Sequence, residues 1–323
     1  MNLLSLITQA FLPPAFAAGS TFMPPAVTEI AKEYDNLYGF ILVVSLIGCV
    51  ILLGGMVYFV VKYKRTAGGK SAYISHNSFL EFLWSFIPLV IFLVVFAWGW
   101  KVYHDMRTFP ENSLEIHALA QKWSWTFQYK SGKTSPKELV VPINTPIKIL
   151  LSSKDVLHSF FIPSMRVKQD AVPGRYTALW FESQKLGNFQ IFCTEYCGDQ
   201  HSAMMGTVRV LSTEDYEKWL KENDEALPLA KRGEKIYKGI CIACHTLDGN
   251  KGVGPSWKGL YGKAREFADG TNIPAADENY IKDSILNPNS KLVKGFAAAM
   301  PSYQGQLSDS QINGIVEFMK ELK

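Results

Sequence analysis

Two long stretches without charge constrain this chain more than anything else in it. Tyr38 to Val61 is a run of 24 residues with no charged side chain, and Phe79 to Trp100 is a second such run interrupted only by Glu81. About 20 apolar residues are enough for a helix to cross the hydrocarbon core of a bilayer. Both runs end in aromatic residues, Tyr58 and Phe59 in the first and Trp98 and Trp100 in the second, as segments anchored at a membrane interface do. The short connection between them carries Lys62, Lys64, Arg65 and Lys70 and no acid. Positive charge is retained on the cytoplasmic side, so two crossings put the N-terminus and everything after about residue 101 outside. A buried hydrophobic hairpin in a soluble protein fits these lengths poorly.

Ahead of the first run, the first 18 residues are apolar and end in Ala15-Phe16-Ala17-Ala18. That is the pattern of a signal-peptide cleavage site, although no Lys or Arg precedes it; a loose N-terminal arm is the other reading.

After the second run the pattern changes. Trp123, Trp125, Phe127 and Tyr129 alternate with polar residues, a strand with one aromatic and one polar face. Val140 to Leu151, Thr177 to Glu182, Asn188 to Phe192 and Thr207 to Leu211 read as further strands between Pro, Gly and Asn turn signals. Together they predict a small antiparallel sandwich or barrel. Ser212 then opens a capping box with Asp215, ahead of a charged helix over Tyr216 to Glu222, and a linker ends near Pro228. Helices are expected again over Ala230 to Gly239, Glu278 to Leu286 and Ser308 to Leu322, the last opened by a capping box from Ser308 to Gln311. A formal net charge of +4, with no basic stripe interleaved with aromatics, argues against a nucleic-acid binder.

Cys49 lies inside the first apolar run and reads as a packing thiol. The other four cysteines form two tight pairs, each with a histidine close behind, which favours metal or cofactor attachment over a disulfide scaffold. Cys193-Thr-Glu195-Tyr-Cys197-Gly-Asp-Gln-His201-Ser-Ala-Met204 places four soft or borderline donors within twelve residues. Thiolate, imidazole and thioether together select copper over hard cations. With the upstream His158, a single-copper site needs only one of the two cysteines, and the second thiolate suggests a pair of metals. A Cys193–Cys197 disulfide would leave His158, His201 and Met204 unexplained, and zinc spacing usually brings two histidines close together without a Met.

Cys241-Ile-Ala-Cys244-His245 is the attachment signature of a c-type haem, with His245 placed as the proximal iron ligand. Met300, followed by Pro301, is the expected distal ligand, because His/Met ligation leaves a six-coordinate electron-transfer iron. Met319 is its rival, on an amphipathic helix that suits packing. Gly252-Val-Gly-Pro255 would let backbone pass close to the haem and buttress His245.

The Cys-x3-Cys-x3-His-x2-Met pattern, with an upstream His on a β-domain behind two membrane spans, resembles cytochrome c oxidase subunit II from about Asn36 to Leu211. Leu229 to Lys323 resembles a class I cytochrome c, with Gly233 and Tyr237 on its first helix and Phe318 on its last. The resemblance implies a multidomain membrane protein: an arm (1–35), a two-helix transmembrane hairpin (36–104), an all-β cupredoxin-like domain (105–212), a helical linker (213–228) and an all-α cytochrome c domain (229–323). It implies a mixed-valence binuclear copper A centre bridged by Cys193 and Cys197, with His158, His201, Met204 and the Glu195 carbonyl completing the set. The Glu195 side chain would reach a magnesium shared with subunit I. Trp123 would receive electrons, although Lys122 stands before it where the family usually has Gln. Glu81 would lie at the mouth of a proton-uptake channel of subunit I, or simply form a capping box with Ser78. Asp170 and Arg175 would face subunit I.

The implied function is that of an electron-transfer subunit of a haem–copper terminal oxidase. It would take electrons from an external donor, such as cytochrome c or a quinol-oxidising complex, through its fused haem. These would pass to copper A and on to subunit I, where oxygen reduction is coupled to proton pumping. The implied partners are subunit I, the other oxidase subunits and membrane lipid. The implied location is the bacterial inner membrane, with both redox domains on the periplasmic side. A free-standing membrane shuttle serving another reductase is an alternative; a copper-delivery protein has no need of the haem.

Overall fold

The two uncharged runs fold as long helices, α1 (Glu29–Lys62) and α2 (Ser78–Arg107). The structure is a computed structural model describing residues 23–65, 67–69, 73, 75–222 and 226–322. The signal-like stretch and Lys70 lie outside the described residues. The Thr28 hydroxyl caps α1 by accepting the Ala31 N–H at 3.0 Å. The cap of α2 differs from expectation. It is Asn77, whose Oδ1 accepts the N–H groups of Phe79 and Leu80 at 3.1 and 3.2 Å. An amide oxygen one residue earlier reaches two free donors at once, so Ser78 is already helical. Glu81 stands in the first turn, where the helix dipole favours a carboxylate.

Both helices are long and apolar enough to cross a membrane, and their apolar windows stay outward. Where they meet, Phe40 packs on Trp98 (ring centroids 5.8 Å apart), and Lys101 bridges Glu33 at 2.8 Å and Asp105 at 2.9 Å. The segment Pro163–Val167 groups with this hairpin. Its Arg166 guanidinium grips both carboxylate oxygens of Asp35 at 2.8 and 2.9 Å, the planar two-point pairing that suits Arg.

The second unit, Glu111–Ile162 with Lys168–Lys323, holds the rest. Its β part has ten strands: β1 (Leu114–Gln121), β2 (Ser124–Tyr129), β3 (Thr134–Pro136), β4 (Glu138–Pro142), β5 (Ile147–Ser153), β6 (His158–Ile162), β7 (Val167–Ala171), β8 (Thr177–Phe181), β9 (Gly187–Cys193) and β10 (Met205–Leu211). They form two five-stranded sheets ordered β3-β2-β1-β5-β8 and β4-β10-β9-β6-β7, the cupredoxin-like fold. Two expectations change. The run from Val140 to Leu151 is two strands in different sheets, broken where Pro142 and Pro146 bracket Asn144, whose φ is +51°. The pairing is also not wholly antiparallel, since β1 runs parallel to β5 and β4 to β10. A chain that changes sheets can lay its next strand in the same direction as a neighbour, which a hairpin cannot. The aromatic face of β2 points inward as the alternation predicts: Trp125, Phe127 and Tyr129 are buried and Gln128 is exposed. Trp125 and Phe127 meet Phe160 edge-on, at 5.2 and 6.2 Å.

Among the described residues four α-helices follow: α3 (Thr213–Lys221), α4 (Leu229–Gly239), α5 (Glu278–Leu286) and α6 (Asp309–Glu321). Ser212 caps α3 by accepting the Asp215 N–H, but Asp215 spends its carboxylate on the Ser212 hydroxyl, so the reciprocal half of the box is missing. Ser308 and Gln311 make the complete box at α6. Helices α4 and α6 cross at Gly233 and Gly314. A Cβ on Gly314 would stand 2.9 Å from the Leu229 carbonyl and 3.1 Å from the Gly233 nitrogen, so the backbones touch only because both residues are glycine. Tyr237, Trp257 and Phe318 close the core beside this crossing.

Candidate metal and haem sites

Strand pairing assembles the first site. In the β6–β9 ladder Phe160 lies opposite Cys193, so His158, which opens β6, comes beside the end of β9. The following loop is pinned at both ends, by Thr194 N–H to the Ser159 carbonyl (2.9 Å) and Cys193 N–H to the Met204 carbonyl (3.2 Å). The result draws all six expected positions together. The sulfurs of Cys193 and Cys197 are 3.8 Å apart and unbridged. Cys193 Sγ lies 3.9 Å from His158 Nδ1 and 3.3 Å from the Glu195 carbonyl. Cys197 Sγ lies 3.5 Å from His201 Nδ1 and 3.8 Å from the sulfur of the fully buried Met204. Each sulfur therefore has its own imidazole. Ligand atoms of His158, Cys193 and Cys197 fall within 4.8 Å of one another, and all three residues are buried.

Asp155 is a member of this site that sequence reasoning missed. Its Oδ1 lies 2.8 Å from His158 Nε2 and accepts the Val156 N–H at 2.7 Å, while its Oδ2 accepts the Lys122 N–H at 2.7 Å. With Nε2–H donating to Asp155, loss of the Nδ1 proton to an incoming metal would turn the Nδ1 lone pair toward the sulfurs, as in the outer-shell carboxylates that orient metal-binding histidines. The only signal in the sequence is an acid three residues before His158. Burial opposes ionisation of the Cys193 thiol, but bonds from His158 and the surrounding backbone outweigh it and bring the group down to about 6. Burial, with the neighbouring Cys193 charge, pushes Cys197 up to about 12. A metal bound here would displace the protons that remain on the pair. Two sulfurs so placed can bridge two soft metal ions, each finished by one imidazole.

Trp123 is buried and donates its indole N–H to the Cys197 carbonyl at 3.3 Å. Trp125 sets its ring edge-on to His158, centroids 6.2 Å apart. Asp170 accepts from the Ser159 hydroxyl at 2.6 Å and pairs with Lys168 at 3.2 Å, whereas Arg175 is exposed on a turn. Glu81 belongs to the hairpin unit, in the first turn of α2.

In the second site, Cys241–Ala243 is one turn of 3-10 helix, and the amides of Cys244 and His245 bond back to the Cys241 carbonyl at 3.1 and 2.9 Å. His245 Nδ1 donates to the Pro255 carbonyl at 2.7 Å, which leaves Nε2 as the free ring nitrogen. A Cβ on Gly254 would fall 2.8 Å from His245 Nδ1, so this glycine lets the backbone lie on the imidazole. Tyr237 donates its hydroxyl to the His245 carbonyl at 2.8 Å. Two adjoining apolar cavities share Cys244, His245, Trp257, Ile285 and Met300 as lining; Met319 lines only the larger. Burial lowers the His245 pKa and raises the Cys241 and Cys244 thiols, to about 12 and about 11. A slot with two thiols at its edge, a neutral imidazole, a thioether and otherwise apolar walls fits a flat, covalently held macrocycle.

Three family models match the chain: Cytochrome C oxidase subunit II, transmembrane domain, over residues 17–102; Cytochrome C oxidase subunit II, periplasmic domain, over 133–211; and Cytochrome C oxidase, cbb3-type, subunit III, over 228–319. A relative from Alkalihalophilus pseudofirmus, "Cytochrome c oxidase subunit 2", is 28% identical and covers 94% of this chain and 91% of its own. The "Alternative cytochrome c oxidase subunit 2" of Bradyrhizobium diazoefficiens is 31% identical, covering 56% of this chain and 76% of its own. The chain belongs to the cytochrome c oxidase subunit 2 family. Among solved structures, the periplasmic domain of subunit II of cytochrome oxidase from Bradyrhizobium japonicum is 32% identical, with a TM-score of 0.34, covering 35% of this chain and 95% of that one. The family matches make the chain a membrane component of an oxidoreductase complex, with a cytochrome c domain fused behind its cupredoxin-like domain.

Proposed function

We propose that this chain is the electron-receiving arm of a haem–copper terminal oxidase in the bacterial inner membrane, with both redox domains outside. When bound, the haem and the copper pair supply one-electron transfer, from an external donor such as cytochrome c or a quinol-oxidising complex to subunit I, where oxygen is reduced and protons are pumped.

The observation that carries the reading is the pairing of each shared sulfur with its own imidazole, Cys193 with His158 and Cys197 with His201. Cys193 and Cys197 would bridge the coppers, His158 and His201 would terminate one each, and Met204 and the Glu195 carbonyl would complete the set. The Glu195 carboxylate would reach a magnesium shared with subunit I. Asp155 holds His158 in the tautomer that can bind. Trp123, bonded to the Cys197 carbonyl, couples the outer face of the domain to a bridging cysteine. Cys241 and Cys244 would carry the thioethers of the haem, His245 would bind its iron through Nε2, and Met300 would bind the opposite face. Glu81 would stand at a proton path of subunit I. Oxygen chemistry would belong to the complex rather than to this chain alone.

Solubilising membranes with a tagged copy of the chain tests this. A haem-bearing partner with many membrane spans should co-purify, and the complex should consume oxygen while the chain alone does not. Recovery of the chain without such a partner would contradict the oxidase role.

A further inference from the structure

Gln121 ends β1, two residues before Trp123, and is buried to 4% exposure despite its polar side chain. Its amide is satisfied from the haem domain: Oε1 accepts the Gln306 side-chain N–H at 2.8 Å, and Nε2 reaches the Ser302 carbonyl at 3.5 Å. Gln306 also bonds the Ser302 carbonyl, at 2.9 Å, so three groups lock into one cluster just past Met300.

A second contact lies on the other flank of the haem slot. Gly239 ends α4, two residues before Cys241, and sits directly on Pro136 of β3. A Cβ there would come 2.8 Å from Pro136 Cγ and 3.0 Å from its Cβ. The next residue, Lys137, donates its N–H to the Trp125 carbonyl at 2.8 Å. Between the two contacts the buried Tyr303 lines the haem slot beside Met300 and Pro301. The flank bearing Cys241 thus rests on β3, and the segment after Met300 on the end of β1, next to the β1–β2 turn that carries Trp123.

We infer that the haem domain occupies one fixed seat on the copper domain, held by Gln121 and by the Gly239–Pro136 contact, and that this seat closes the Gln121–Trp123 corner to any second cytochrome. Gln121 and Gly239 are positioning residues. Neither touches a metal, and each sets where the haem lies relative to the copper pair. An outside donor must then deliver its electron to the chain's own haem. A tethered domain that swings would spend part of its time unseated, with the Gln121 amide bonded to water instead.

This inference rests on the proposed haem and copper centres, and the test separates the two. The full-length chain, loaded and oxidised in detergent, is measured by pulsed-EPR dipolar spectroscopy between the low-spin haem iron and the copper pair. Internal electron transfer after flash photoreduction is followed at rising solvent viscosity. A fixed seat gives one narrow distance and a rate independent of viscosity. Gln121→Ala with Gln306→Ala should broaden the distance and make the rate viscosity-dependent, while leaving both centres' optical spectra unchanged. A variant seated a tenth of the time transfers about tenfold more slowly. Gly239→Val, which wedges Pro136 away, is the second variant and should behave alike. A broad distance in the unaltered chain, or variants as narrow and viscosity-independent as it, would overturn the fixed seat while the centres stand. Absence of either centre's spectrum would overturn the functional reading and this inference with it.

Discussion

The chemistry of this chain depends on a few side chains whose reactivity is set by what surrounds them. Cys193 and Cys197 are the same residue type four positions apart, yet the imidazole beside one favours its thiolate and burial beside that charge disfavours the other. The ligand types were legible in the sequence because Cys193 to Met204 is nearly contiguous and its spacing is set by one loop. Asp155 was not, because its role depends on a histidine tautomer that spacing does not reveal. It is expected to matter all the same. Carboxylates that orient a metal-binding imidazole are typically worth about 10–100-fold in metal affinity. Asp155→Asn keeps the shape and loses the charge, so it should weaken copper retention by about that factor in competition with a soluble chelator. Unchanged retention would show that His158 is oriented by its packing against Trp125 instead.

At the scale of elements, periodicity served where one face of one element decided burial. The inward aromatics of β2, the outer boundaries of α5 and the cap of α6 all follow from local pattern. It failed where the answer lay in another part of the chain. The break at residues 143–146 sends β4 and β5 to different sheets, and the two parallel pairings depend on neighbours distant in sequence. Gly233 was noticed for its place on the first helix of the haem domain, whereas its counterpart Gly314 emerges only from the crossing. Adding a methyl group there forces the Leu229 carbonyl and the Gly233 amide away. Overpacking of this kind costs about 1–3 kcal/mol. Gly314→Ala should therefore lower the thermal midpoint followed at the haem absorbance, with little change in the copper signal. Equal loss of both would mean that the two domains unfold as one.

Over the whole molecule, two different solvents divide the work. The hairpin presents side chains such as Leu52, Val61 and Phe92 outward, at 73%, 72% and 70% exposure. Burying one such group away from water is worth about 1.5–3 kcal/mol, so a sleeve of them is stable only in lipid. The second unit has a buried apolar core, Trp125, Phe127 and Phe160 among it, and brings a sulfur–imidazole cluster and a haem slot into one body. The proposed role rests on the first cluster holding a pair of metals that share their electron through Cys193 and Cys197. EPR of the copper-loaded, oxidised chain tests that directly. Hyperfine structure spread equally over two copper nuclei, with copper and iron in a ratio of two to one, is the expected result. Splitting from a single copper nucleus in fully loaded protein would contradict it.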